Sequence, residues 1–244
     1  LRRSTKGLQA IPFLRGIAVT GSLAFENARE GSDLDVLIIA APNRVWTVRF
    51  LLTVLLDVFG LRRRPHGPTR DRVCLNHYLA LDALEFPYRS MYTAMEYARL
   101  IPMFGEETCR RFRSANRAWM LTYLVQVFPD TLRHRKTLRP SPVLRGIQRA
   151  AELLLGGPIG TAVERFLARL QHARIARSEA EIAPQRQADF QEHPRPRGRV
   201  VATETRAEFH PHSREAPLLA AFNRRMEEFG LSEMFGGQRD SGLT

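Results

Sequence analysis

The pair Gly21-Ser22, ten intervening residues, and then Asp33-Leu34-Asp35 leading into an apolar run make the chemically most pointed pattern in the chain. On an extended strand, residues i and i+2 share a face. Asp33 and Asp35 therefore present two carboxylates about 7 Å apart at one sheet edge, while Leu34 and Val36 turn to the core. Two acids so placed repel each other, and a divalent cation between them removes the repulsion. Hard oxygen ligands with room for water and phosphate select Mg2+. Gly21-Ser22 follows an apolar strand and opens a helix, so its backbone N–H groups and the Ser22 hydroxyl can cradle a phosphate held by that metal. The same letters also fit a turn with solvated acids, which binds no metal.

The surrounding elements have to position these residues. An apolar stretch over 15–20 reads as a short strand, followed by a brief helical segment to about residue 28 and a turn at Glu30-Gly31-Ser32. Residues 33–40 read as a strand buried on both faces at its far end. Asn43 is a candidate N-cap for a helix to about Phe59, with Gly60 as its stop. That helix is apolar nearly all round, apart from a stripe of Arg49, Thr53 and Asp57. After a basic loop over 61–72, residues 73–84 read as a strand that can turn as a hairpin near Leu81-Asp82. Helices are expected over 90–100, where Ser90 can cap the start and Pro102 ends it, and over 106–128. Two amphipathic helices flank Gly156-Gly157-Pro158, the second with Ile159, Val163, Phe166, Leu167 and Leu170 on one face. Residues 184–199 read as a loop or linker, and a last helix over 217–229 stops at Gly230.

Gly21, Ser22, Asp33 and Asp35 resemble, residue by residue, the signature of the DNA polymerase β-like nucleotidyltransferase superfamily. That signature is an apolar strand, Gly-[Gly/Ser], a spacer of roughly nine to thirteen residues, and Asp-x-Asp/Glu on the next strand. Ile11-Pro12-Phe13, residues 20–24, Arg44-Val45-Trp46, Cys74-Leu75-Asn76, and Asn116 with Trp119 look like words of an uncharacterised bacterial branch. The resemblance covers residues 8–128. It implies an α+β nucleotidyltransferase fold, a small mixed sheet flanked by helices, followed by a helical region over 129–183 and a loop-rich segment with a terminal helix over 184–244. It also implies transfer of a nucleoside monophosphate from an NTP to a small molecule, an RNA or a protein, with in-line attack and two Mg2+ ions. Asp33 and Asp35 are then the catalytic and metal-binding residues, and Gly21 and Ser22 the nucleotide-binding ones. In that branch a winged-helix-like segment often precedes the domain, which suits a chain beginning at Leu1.

One departure from the family pattern bears on activity. Members usually carry a third carboxylate on a later strand, and the matching strand here has Asn76 and His77 at its centre. Asn76 can ligate a cation through its carbonyl oxygen but is no base near neutral pH. Alternation turns His77 to the opposite face, as a packed or hydrogen-bonded histidine. Asp71, Asp82, Glu85 and Glu96 are the other acids nearby. A catalytically degenerate nucleotide-binding or nucleic-acid-binding module on the same fold is therefore the alternative. Arg44 and Arg49 are lesser candidates for substrate contact. Arg62-Arg63-Arg64 can cap the preceding helix or hold a triphosphate. His210-Pro211-His212 reads as a polar loop rather than a metal pair.

Composition sets the frame. With 244 residues and 44% hydrophobic content the chain can build a substantial core. The net charge of +12 points toward nucleic acid or another polyanion, although of 37 basic residues only Lys6 and Lys136 are lysine, as GC-rich codon usage also produces. Cys74 and Cys109 are expected as buried free thiols in a reducing cytoplasm. The longest apolar run, over 45–61, is broken by Arg49 and Asp57 and is too short for a span, so no membrane partner is expected.

Overall fold

The computed structural model describes residues 6–64, 67–124, 138–192, 197–212 and 215–230, except for the side chains of 182–199 and 210–217. Six strands form one mixed sheet: β1 (Leu14–Val19), β2 (Leu34–Ala40), β3 (Val73–Ala80), β4 (Ile101–Phe104), β5 (Arg197–Ala202) and β6 (Arg206–His212), in the order β4-β1-β2-β3-β6-β5. β2 runs antiparallel to β1 and parallel to β3. Among the described residues there are seven α-helices: α1 (Gly21–Ala24), α2 (Val45–Val58), α3 (Met91–Ala98), α4 (Glu106–Met120), α5 (Pro142–Leu154), α6 (Gly157–Glu192) and α7 (Glu215–Glu228). The architecture is thus mixed α and β, as expected. None of these helices is long and apolar enough to cross a membrane.

Alternation along β2 explains the layering. Val36, Ile38 and Ala40 face one core with Val45, Trp46, Val48, Leu52 and Leu56 of α2, while Leu37 and Ile39 face a second core with Tyr97 of α3 and Phe112 and Met120 of α4. From Val36 to Ala40 the strand is sealed on both sides, which is why that part of its sequence is an unbroken apolar run. Parallel pairing of β2 and β3 requires a crossover, and α2 supplies it. Gly60, at φ +61°, ends that crossover as expected.

Several expectations are corrected. The helix after Gly21 is a single turn and does not reach residue 28. Asn43 does not cap α2: it sits at φ +55° and the helix begins at Val45. A buried carboxylate, Glu164 of α6, instead accepts from the N–H groups of Trp46 and Thr47, both at 2.8 Å, and from the Thr47 hydroxyl at 2.5 Å. β3 ends at Ala80 without a hairpin, because β6 is its other neighbour. Pro102 lies within β4, where an edge strand tolerates its missing N–H. α4 stops at Met120, and residues 125–128 of the expected continuation lie outside the described residues.

Further along, Pro184 opens no linker. The Ala-, Arg-, Glu- and Gln-rich sequence around it sustains α6 to Glu192, and β5 follows from Arg197. His210-Pro211-His212 is the end of β6, not a loop, and the two histidines pair with Arg199 and Arg197 of β5. α6 turns only part of its apolar stripe inward: Leu167 and the half-buried Val163 pack on the core, alongside polar neighbours. Glu164, Leu167 and Gln171 are buried, while Ile159, Phe166 and Leu170 are exposed.

Candidate metal and nucleotide site

β1 and β2 meet at the site. The Thr20 N–H, just past the end of β1, donates to the Asp35 carbonyl at 3.0 Å, which brings the start of α1 against the start of β2. Gly21 there has φ +65°, and a Cβ on it would lie 3.0 Å from Asp35 Oδ2. Both features favour glycine. Ser22 follows on the exposed single turn.

Asp35 is the second residue of β2, and Asp33 precedes the strand by one residue instead of lying on it. Their carboxylate oxygens and the Cys74 thiol all lie within 4.8 Å of one another. The two acids are thus brought together as the spacing implies, more closely than the 7 Å of an ideal strand. They are not unpartnered, however. Arg63 donates to Asp33 Oδ2 at 2.7 Å and reaches Cys74 Sγ at 3.6 Å, while the Asn76 amide donates to Asp35 Oδ1 at 3.1 Å. Burial, and next the charge of Asp33, push the Asp35 carboxyl up to about 6, against the hydrogen bonds and the Arg63 charge that favour ionisation. Burial and then the Asp35 charge push the Cys74 thiol up to about 12, so it stays protonated. A soft metal needs a thiolate. The two carboxylates are the available charged donors, and they fit a hard divalent cation.

Where the resemblance leads one to expect a third carboxylate, β3 brings Asn76 against Asp35. Asp35 pairs with Cys74 and Leu37 with His77, so two residues of β3, Leu75 and Asn76, stand opposite Val36 alone. This bulge corrects the expectation that Asn76 and His77 point to opposite faces. His77 joins the Leu37 face, where it packs edge-on against Phe86 and Tyr97, and its Nδ1 lies 2.6 Å from the Tyr97 hydroxyl. It is a packed, hydrogen-bonded histidine, as expected. Asp71, Asp82 and Glu85 are exposed. Glu85 pairs with Arg89, and Glu96 lies on α3 outside the acid cluster.

The basic candidates divide. Arg62 and Arg64 both pair with Asp57 in the last turn of α2, whereas Arg63 enters the acid cluster. Arg49 donates to Gln171 at 2.5 Å and stacks over Phe209, and Arg44 lies over Phe13 beyond the opposite end of β2. Neither belongs to the acid cluster. Asn116 and Trp119 are structural: Asn116 accepts from Phe86 N–H and Trp119 Nε1 and donates to the carbonyls of Leu84 and Phe112. Sequence reasoning missed Cys74 and singled out no one arginine of its triplet. The register of β2 against β3 would have found both, since Arg63 N–H donates to the Val73 carbonyl one residue from Cys74. No protein-family model, curated protein or solved structure matches the chain.

Proposed function

We propose that the chain is a nucleotidyltransferase of the DNA polymerase β-like type, which moves a nucleoside monophosphate from an NTP to a hydroxyl or phosphate acceptor. The observation that carries this reading is the packing of a left-handed Gly21 directly on Asp35, with Asp33 alongside. It joins a phosphate-cradling turn to a pair of hard anionic ligands. The antiparallel β1–β2 pair and the α2 crossover from β2 to β3 support the corresponding fold assignment.

Asp33 and Asp35 would hold Mg2+, which when bound neutralises phosphate charge and favours an ionised acceptor oxygen. Gly21 and Ser22 would orient the triphosphate through backbone N–H groups and the hydroxyl. Asn76, donating to Asp35 Oδ1, leaves Oδ2 on the Gly21 side. Arg63 holds Asp33 in place and carries a charge suited to a phosphate oxygen. A hydroxyl acceptor releases its proton to water as its oxygen forms the new bond to the α-phosphorus, the bond from that phosphorus to the bridging oxygen breaks, and pyrophosphate leaves with its electron pair.

One observation favours a second reading, a nucleotide-binding module without turnover: Asn76, not an acid, contacts Asp35. Incubation with α-labelled NTPs, Mg2+ and small-molecule, RNA and protein acceptors separates the two. Label transfer and pyrophosphate release, both abolished in Asp33→Asn and Asp35→Asn, are expected for the transferase. Nucleotide binding without release, with turnover gained in Asn76→Asp, identifies the silent module.

A further inference from the structure

The sequence from 142 to 178 contains six arginines and only two acids, Glu152 and Glu164. Both acids point inward. Glu152 pairs with Arg15 at 2.7 Å and accepts from the Phe13 N–H, and Glu164 holds the start of α2. The outer surface of α5 and the first half of α6 therefore carries no exposed acid. It exposes Arg145, Arg149, Arg165 and Arg169 together with large apolar side chains. At the corner between the helices Leu153, Leu154 and Ile159 are 84%, 77% and 70% exposed. A Cβ on Gly160 would overlap the Leu155 carbonyl, so the corner is tightly packed from within.

We propose that this face docks on an anionic lipid surface. Side chains this exposed stand on a convex ridge, not in a groove, so they suit insertion below lipid headgroups better than reception of a partner helix. A nucleic acid would use the arginines but gain nothing from the leucines. A second copy would set one all-basic face against another. Arg149 and Arg169, one helical turn from the exposed Leu153 and Phe166, can keep their guanidinium groups at the phosphate level while their stems follow the apolar side chains down. A peripheral contact of this kind needs no spanning helix.

The test is flotation of the full chain with vesicles of phosphatidylcholine alone and of an equimolar mixture with phosphatidylglycerol. Two variants accompany it: Leu153→Ser/Leu154→Ser/Ile159→Ser, and Arg145, Arg149, Arg165 and Arg169 all changed to Gln. Urea midpoints establish that both fold. The chain is expected to float with the anionic vesicles only, and each variant to lose at least about tenfold in partitioning. Absence of binding to anionic vesicles overturns the proposal, as does undiminished binding by folded variants. A dimer dissolved by the serine substitutions, without vesicle binding, assigns the face to a second copy. Polyuridylate binding weakened only by the glutamine substitutions assigns it to nucleic acid.

Discussion

Asp35 is the residue whose surroundings most alter its chemistry. Its carboxyl is ordinarily ionised above pH 4, and burial together with Asp33 holds the proton up to about 6. An acid whose folded pKa exceeds its unfolded one stabilises the fold at low pH, and that contribution is lost as pH rises from about 4 to about 6. In cation-free buffer the melting temperature of the parent should therefore fall across that window. Asp35→Asn, which can still accept from Asn76, should flatten the fall and melt about 5 °C higher at pH 7.5. Superimposable melting profiles of parent and variant would refute this account of the site's strain. Arg63→Gln removes the cation already paired with Asp33, so Mn2+ without nucleotide should bind about three- to tenfold tighter by electron paramagnetic resonance. Gly21→Ala forces a side chain into a left-handed backbone and against a carboxylate, and should cost about 2 kcal/mol in urea denaturation.

Element by element, what the sequence shows is what period and local chemistry can carry. The buried strand β2, the crossover helix stopped by Gly60, and the Ser90 cap of α3, whose hydroxyl accepts from the Thr93 N–H at 3.1 Å, were legible because each signal lies within a few residues. Partners set by distant segments were not. Asn43 looks like a cap, yet Glu164 performs that task from more than a hundred residues away. The apolar stripe of α6 looks like its docking face, yet only Leu167 and Val163 of it dock, and the polar pair Glu164 and Gln171 faces α2 beside them, because α2 presents helix-terminal N–H groups and the Trp46 carbonyl there. β6 was missed because an alternating Arg-Ala-Glu-Phe-His-Pro-His segment is too polar to announce a strand, and Glu208 is nonetheless buried beside β3. Glu164→Ala leaves two helix N–H groups and a hydroxyl without their acceptor and should destabilise by about 2–3 kcal/mol, with Glu164→Gln recovering part of it; a loss below about 0.5 kcal/mol in urea denaturation would contradict the cap.

For the molecule as a whole, the high positive charge divides into distinct uses. Arg15, Arg62 and Arg64 pair with structural acids, Arg49 stacks on Phe209, and Arg63 enters the site. Those of α5 and the first half of α6 remain on an outer face without an exposed acid. The site itself was half legible. The Gly-Ser and Asp-x-Asp spacing locates Gly21, Asp33 and Asp35, and the later strand offers Asn76, but only the folded chain brings Cys74 and Arg63 to them. The central claim is that this meeting point holds a divalent cation with a nucleotide. Calorimetric titration of Mn2+ into the parent and into Asp33→Asn/Asp35→Asn, with and without ATP at pH 7.5, measures it directly. The account predicts binding by the parent that ATP strengthens, and at least about tenfold loss in the double variant. Equal Mn2+ and ATP affinities in the two proteins would contradict it.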